Sequence, residues 1–221
     1  MSGRPRTLAL VLGTGTEVGK TWVTCRVLEH LRGRGVAVAA RKPVQSWDPD
    51  EVAAGQRLDA DLLAEASGER SDEVCRPARS YSVAVAPPMA AARLGVGPLR
   101  LADLVAEITW GDGIDVGLVE AAGGVRSPVA DDGDGIDLEK ALRPDLVVLV
   151  ADAGLGTIHA VRSSSLGLDR ASLVVHLNRY DEADQLRREN RAWLAERDGF
   201  TVTTDVPELA ALLSARSVEQ N

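Results

Sequence analysis

Short runs of β-branched and aliphatic residues recur along the chain. Each ends near Gly, Asp, Asn or Glu, and each is followed by a stretch long enough for a helix. The runs are Thr7 to Leu12, Val36 to Arg41, Val116 to Val119, Leu146 to Ala151, Leu173 to Leu177 and Phe200 to Thr203. Such alternation reads as successive βαβ units. Leu146-Val147-Val148-Leu149-Val150 is apolar at every position, so both faces of that strand need covering, the pattern of a parallel sheet enclosed by helices. The expected fold is α/β: a doubly wound, mostly parallel sheet with helices on both faces. Helices are expected at Lys20 to Gly33, Ala60 to Ala66, Pro88 to Arg93, Pro98 to Trp110, His159 to Leu166 and Asp181 to Asp198.

The chain's 221 residues suit a single domain, 1–221. Residues 1–6 and about 214–221 are expected to be flexible ends, and the polar, turn-rich stretches 46–57 and 131–137 mobile loops. A net charge of −8 argues against a nucleic-acid backbone binder, which needs a basic surface. The arginines of 181–198 are interleaved with acids and read as a solvated face. No apolar run is long enough for a membrane span or a secretory signal, so a soluble cytoplasmic protein is expected. Cys25 and Cys75 lie far apart with no CxxC spacing, and are expected to be reduced thiols rather than a disulfide or zinc site.

After the first run comes Gly13-Thr14-Gly15-Thr16-Glu17-Val18-Gly19-Lys20-Thr21, and then a helical stretch. A glycine-rich bend between strand and helix presents backbone N–H groups at the positive end of the helix dipole, where they cradle polyphosphate. Lys20, on a loop expected to face solvent, would reach the β- and γ-phosphates, and Thr21 would offer its hydroxyl to Mg²⁺. The fold is therefore expected to be of the P-loop NTPase kind. Five residues separate Gly13 from Gly19, one more than the strict phosphate-loop pattern allows.

In a parallel sheet the carboxyl ends of the strands share one edge, so residues just past them converge on a ligand crevice. Lys42-Pro43-Val44-Gln45-Ser46 places a second lysine there. Glu120-Ala121-Ala122-Gly123-Gly124 places a carboxylate able to hold Mg²⁺, followed by glycines whose N–H groups could face an anion. Asp59 and Asp61 stand at a helix start, where acids are ordinary dipole partners. Oxygen donors of this kind suit magnesium, and two lysines beside a polyphosphate suit a kinase-like or ligase-like phosphoryl transfer.

These segments, in this order, resemble the dethiobiotin synthetase family, ATP-dependent ring-forming carboxylases. Gly13 to Thr21 matches that family's Gly-Thr-x-Thr-x-Val-Gly-Lys-Thr loop, including the five-residue spacing. Lys42-Pro43-Val44 matches its Lys-Pro-Val box. Val119 to Gly124 resembles its Val-Glu-Gly-Ala-Gly-Gly segment, Gly154-Leu155-Gly156-Thr157-Ile158 its Gly-Leu-Gly-Thr-Ile turn, and Asn178 an asparagine after a late strand. The resemblance spans roughly residues 7–180. It implies carboxylation and ureido-ring closure of 7,8-diaminopelargonic acid with CO₂ or bicarbonate and ATP, through a carbamate and a carbamic-phosphoric anhydride.

It further implies ATP at Gly15, Thr16, Glu17, Val18, Gly19, Lys20 and Thr21, with Asn178 reading adenine. Lys20, Lys42, Thr16 and Ser46 would be catalytic, and Lys42, Ser46, Ala122, Gly123 and Gly124 would contact substrate. Mg²⁺ would sit among Thr21, Asp59 and Glu120, with Asp59 preferred to Asp61 on family spacing. A homodimer is implied, the substrate's carboxylate tail reaching the partner near the Gly154 to Thr157 turn. Ala121 replaces a family glycine, His159 an asparagine, and Arg126 enters a stretch that is usually apolar. A divergent synthetase and a cyclo-ligase for a different diamine both remain open. A nucleotide-switch or partitioning ATPase and a small-molecule kinase are the rivals from other classes.

Overall fold

The computed structural model describes residues 3–218. Residues 1, 2 and 219–221, parts of the two ends expected to be flexible, lie outside the described residues. The first half of the chain forms β1 (Thr7–Gly13), α1 (Lys20–Gly33), β2 (Val38–Arg41), β3 (Gln45–Ser46), α2 (Pro49–Ala53), α3 (Asp59–Ser67) and α4 (Ser71–Val74). It continues through β4 (Ser80–Tyr81), α5 (Pro87–Arg93) and α6 (Leu101–Ala106). The second half forms β5 (Val116–Glu120), α7 (Gly135–Leu142), β6 (Leu146–Asp152), α8 (Thr157–Ser165), β7 (Leu173–Asn178), α9 (Gln185–Ala192), β8 (Thr201–Thr203) and α10 (Val206–Val218).

All six expected strands are present and pair in the order β2-β5-β1-β6-β7-β8, every pairing parallel. From β1 the chain travels outward to β2, returns to β5 beside β1, and then crosses to β6 on β1's other side. The direction of winding thus reverses at β1, which opens a crevice beyond its carboxyl end. A second, two-stranded parallel sheet joins β3 to β4.

Strand alternation sorts the core into two layers. Leu8, Leu10, Leu12, Val147 and Leu149 pack with Ile136, Leu138, Val161 and Leu194 from α7, α8 and the turn after α9. Ala9, Val11, Val148 and Val150 pack on the opposite face with Val23, Val27 and Leu31 of α1, Leu63 of α3 and Leu209 and Leu213 of α10. Each fully buried leucine contributes roughly 1.5–3 kcal/mol. The sheet edge at β2 is covered from its flank. Glu69 accepts the Ala40 N–H at 2.8 Å and an Arg41 N–H at 2.6 Å, and the Arg41 guanidinium lies 4.8 Å from the centre of the Trp110 ring.

Several expected boundaries shift for local reasons. The helix expected over Pro98 to Trp110 is confined to α6, because the Asp131 and Asp132 carboxylates accept the Leu99 and Leu101 N–H groups and hold the preceding chain extended. The stretch 131–137 is built structure: Asp134 accepts the Ile136 and Asp137 N–H groups and starts α7. Within 46–57, Asp48 accepts the Asp50 N–H and starts α2. Asp184 caps α9, which begins at Gln185, four residues later than expected, and α9 passes into a π-turn, Trp193–Arg197. At the first end Arg4 donates to the carbonyls of Leu142 and Arg143, and α10 occupies the last stretch through Val218.

His176 on β7 is 2% exposed, and its Nδ1 lies 2.9 Å from Thr203 Oγ1 on β8. Burial pulls its pKa from 6.5 down to about 4, against the pull of Asp205. The native ring stays neutral where the unfolded chain is protonated, so this contribution is complete above pH ~6.5 and is lost as pH falls toward 4. His176→Asn should therefore flatten the pH dependence of the unfolding free energy, measured by urea denaturation, between those two values, by at most about 1.4 kcal/mol per pH unit. An unchanged slope would remove His176 from the acid sensitivity of the fold.

Candidate functional site

The loop Gly13–Thr21 joins the buried end of β1 to the first turn of α1, at the point where the winding reverses. Glu17 and Gly19 adopt left-handed backbone, with φ of 59° and 90°. At Gly19 a Cβ would also lie 2.1 Å from Asn178 Nδ2, so position 19 admits only glycine without rearrangement. Asn178, at the end of β7, donates from Nδ2 to the Val18 carbonyl at 2.9 Å. From the other flank, Gly124 packs so closely that a Cβ there would come 3.2 Å from Gly15 Cα.

Beneath the loop lies a buried ion cluster. Lys42, just past β2, donates from Nζ to Asp59 Oδ2 and to Glu120 Oε1, each at 2.7 Å. Thr21 Oγ1 lies 2.8 Å from Glu120 Oε1 and 3.0 Å from Asp59 Oδ1, its single proton serving one of them. The Thr24 hydroxyl lies 2.7 Å from Glu120 Oε2 and 2.9 Å from the Lys20 carbonyl. The side chains of Lys42 and Glu120 are 2% and 0% exposed, and that of Asp59 is 41% exposed.

Burial disfavours the charged Lys42, but Glu120 and Asp59 outweigh it and hold the ammonium above the ordinary lysine value. The Lys42 charge in turn holds Asp59 below the usual carboxylate range. Lys20 is pushed the other way, by burial first and by the neighbouring Lys42 charge second. The expected solvent-facing position for Lys20 is corrected: it is buried, and its Nζ donates to the Gly15 carbonyl at 3.3 Å. The aliphatic stem packs under the loop, where a Cβ added at Gly13 would meet its Cδ at 2.9 Å.

The expected residues Lys20, Thr21, Lys42, Asp59 and Glu120 thus converge on one spot. Asp61 does not join them, because its carboxylate accepts the Ser71 hydroxyl at 2.6 Å. Thr16 lies exposed on the loop, and the Ser46 hydroxyl donates to the Val85 carbonyl at 2.5 Å. Of the glycine N–H groups expected to face an anion, that of Gly124 instead donates to Ser127 Oγ at 3.0 Å. Arg126 pairs with Asp134 at 2.9 Å, and His159 is exposed. Cys25 and Cys75 are free thiols, each raised by burial to about 12, so neither is a ready nucleophile.

Two contributors escaped sequence reading. Thr24 stands one helical turn beyond Lys20 and Thr21, so helical spacing could have pointed to it. Arg179, next to Asn178, donates to the Glu17 carbonyl at 2.9 Å and to Asp152 at 2.7 Å, and no sequence pattern marks it.

Thr21, Asp59 and Glu120 form a set of hard oxygen donors around one point, which fits magnesium. Among the described residues no group of three or more His, Cys, Asp or Glu could hold a metal by itself. Any cation here would rely on the threonine hydroxyl, water or substrate for its remaining ligands.

A phosphate-binding loop at the winding reversal of a parallel α/β sheet defines a P-loop NTPase-like protein. Solved structures share this fold. The signal recognition particle receptor FtsY from Elizabethkingia anophelis in complex with GDP superimposes with a TM-score of 0.53 at 13% identity, covering 93% of this chain and 59% of that one. Chloroplast FtsY from Physcomitrella patens gives 0.52 at 16% identity, covering 96% of this chain and 66% of that one. This chain therefore spans about three-fifths to two-thirds of those proteins, and the likeness concerns the fold alone.

A family model described as an AAA domain matches residues 7–215. Proteins named ATP-dependent dethiobiotin synthetase BioD are closer in sequence. That of Rhodopirellula baltica is 36% identical over 218 residues, covering 90% of this chain and 83% of its own. That of Caulobacter vibrioides is 40% identical over 174 residues, covering 75% and 77%. That of Rhodococcus jostii is 36% identical over 217 residues, covering 95% and 90%. The chain belongs to the dethiobiotin synthetase family and is an ATP-dependent enzyme of that family.

Removing Lys42 would leave two neighbouring carboxylates, one fully buried, without their cation. Lys42→Met should therefore cost roughly 3–5 kcal/mol in urea denaturation at neutral pH, and adding Glu120→Gln should restore part of that loss. A cost no larger than that of Lys140→Met on the surface would show that the cluster does not bear on folding.

Proposed function

We propose that the enzyme carboxylates 7,8-diaminopelargonic acid and closes the ureido ring of dethiobiotin, with ATP as phosphoryl donor and Mg²⁺ as cofactor. The observation that carries this reading is the convergence of Lys20, Lys42, Thr21, Asp59 and Glu120 beneath one glycine-rich loop. Two lysines and a set of carboxylates suit a reaction that brings an anionic substrate to an anionic phosphate. ATP occupies the N–H groups of Gly15 to Gly19 with Lys20 and Thr21 at its terminal phosphates, and Asn178 reads adenine.

One amine of the diamine adds to CO₂, losing a proton and forming a carbamate. A carbamate oxygen then attacks the γ-phosphorus of ATP, and ADP departs. The second amine attacks the carbamoyl carbon of the resulting mixed anhydride, inorganic phosphate leaves with the bonding pair, and the amine's proton is lost to solvent. Lys20 and Lys42 stabilise the negative charge on phosphate and carbamate throughout. Thr16 and Ser46 donate hydrogen bonds from the rim, which requires Ser46 to turn from Val85. Ala122, Gly123 and Gly124 border the carbamate. Thr21, Asp59 and Glu120 would hold Mg²⁺, which when bound neutralises phosphate charge.

We place the enzyme in the cytoplasm as a homodimer. Two observations support this: no described helix is long and apolar enough to cross a membrane, and Leu155, in the turn implied to meet the partner, is 90% exposed.

Mass spectrometry of a reaction containing diaminopelargonic acid, ATP, Mg²⁺ and bicarbonate should show dethiobiotin and inorganic phosphate. A stable phosphorylated product would indicate a kinase, hydrolysis without diamine a switch ATPase, and turnover confined to another diamine a different cyclo-ligase. Lys20→Ala should lower kcat/KM for ATP by about 10²–10³. Glu120→Gln should raise the Mg²⁺ concentration needed for half-maximal rate more than the KM for diamine. Near-normal turnover of the first, or unchanged metal dependence of the second, would remove that residue from the site.

A further inference from the structure

We infer that Arg179 is a positioning residue for the phosphate loop, aiming its N–H groups inward by holding its carbonyls from outside. This rests on the reading that the loop binds polyphosphate. The Arg179 guanidinium donates through Nη2 to the Glu17 carbonyl at 2.9 Å and through Nη1 to Asp152 Oδ2 at 2.7 Å. The next carbonyl, that of Val18, is held by Asn178 Nδ2 at 2.9 Å.

No peptide bond in the described chain is cis. In a trans peptide the C=O of one residue and the N–H of the next point in opposite directions. Drawing the Glu17 and Val18 carbonyls toward β7 therefore turns the Val18 and Gly19 N–H groups the other way, toward the inside of the bend. Two consecutive peptide planes of the loop, flanked by the left-handed residues Glu17 and Gly19, are set by adjacent side chains of one strand end.

The support is itself constructed. Arg179 has left-handed backbone, φ 56°, which turns the chain directly after β7. Its carbonyl accepts from the Arg187 guanidinium, which ties the bend to α9. Asp152 ends β6 opposite Asn178 in strand register, and its other oxygen accepts the Gly154 N–H at 2.8 Å. The guanidinium fork thus spans from the loop to a carboxylate anchored on the neighbouring strand. An ammonium, a single point of charge, cannot reproduce that planar two-partner geometry. The Arg179–Asp152 pair is 54% and 42% exposed, so its loss should scarcely change global stability.

Calorimetry with tripolyphosphate plus Mg²⁺, alongside ATP kinetics, tests the assignment. Arg179→Ala should raise the tripolyphosphate Kd and the KM for ATP about tenfold, with kcat within about twofold. Val18 and Gly19 amide exchange should quicken, while Tm and adenosine binding stay unchanged. Arg179→Lys should recover only a small part of this affinity. Asp152→Asn discriminates most sharply: removing a negative charge near the loop would tighten phosphate binding by electrostatics alone, whereas loss of the anchor should weaken it. Full rescue by lysine, tighter binding by Asp152→Asn, or equal loss of adenosine and tripolyphosphate affinity would each overturn the proposal. If Lys20→Ala leaves tripolyphosphate binding intact, the phosphate-loop reading itself fails, an outcome distinct from failure of Arg179 alone.

Discussion

Glu120 is a fully buried carboxylate at the end of a central strand, and its placement is possible only because Lys42, Thr21 and Thr24 surround it. An ion taken out of water costs several kcal/mol unless a partner charge and hydrogen bonds replace its hydration. That requirement draws together the ends of β2 and β5 and the first turns of α1 and α3. The same atoms that satisfy the buried charge line the crevice where the winding reverses. The cluster therefore works as a structural joint and as the floor of the proposed catalytic site, which ties loop position, carboxylates and the second lysine to one another.

Above that floor the phosphate loop is held from both sides. Gly124 closes against Gly15 on the β5 flank, while Asn178 and Arg179 hold two carbonyls on the β7 flank. A loop whose peptide groups are already oriented has less conformational freedom to lose when an anion enters, and its dipoles need not reorganise during phosphoryl transfer. Lys20, buried beneath the loop and disfavoured there as a cation, would gain most from the arrival of phosphate charge.

Much of the frame was legible because strands buried on both faces leave an unbroken apolar record. Val147 and Leu149 enter one layer, Val148 and Val150 the other, and no polar position was available to blur the run. α1 was legible to the residue, since Lys20 follows a glycine bend and Gly33 closes a regular apolar stripe. Helix α7 was missed, and its first residues were read as part of a loop over 131–137, because Asp131 to Asp134 carry turn chemistry, yet those acids cap and pin backbone N–H groups. The β3–β4 pair escaped because two-residue strands have no period to detect. In the site, Lys20 and Thr21 stood out as the residues that follow the glycine-rich bend, and Lys42 and Glu120 as charged groups at strand ends. Asp59 could be separated from Asp61 only by family spacing, both being first-turn acids.

Local order in the chain determined the elements, the glycine-rich bend and the identity of the charged groups, because propensity, periodicity and turn chemistry act over a few residues. Family membership was legible for the same reason, carried by short contiguous motifs. Tertiary structure alone decided which strand lies beside which, that Lys20 is buried, and that Arg179 reaches back 162 residues to Glu17. Those outcomes depend on contacts between distant segments, and the direction in which a side chain or a peptide plane points is set by neighbours that no local window contains.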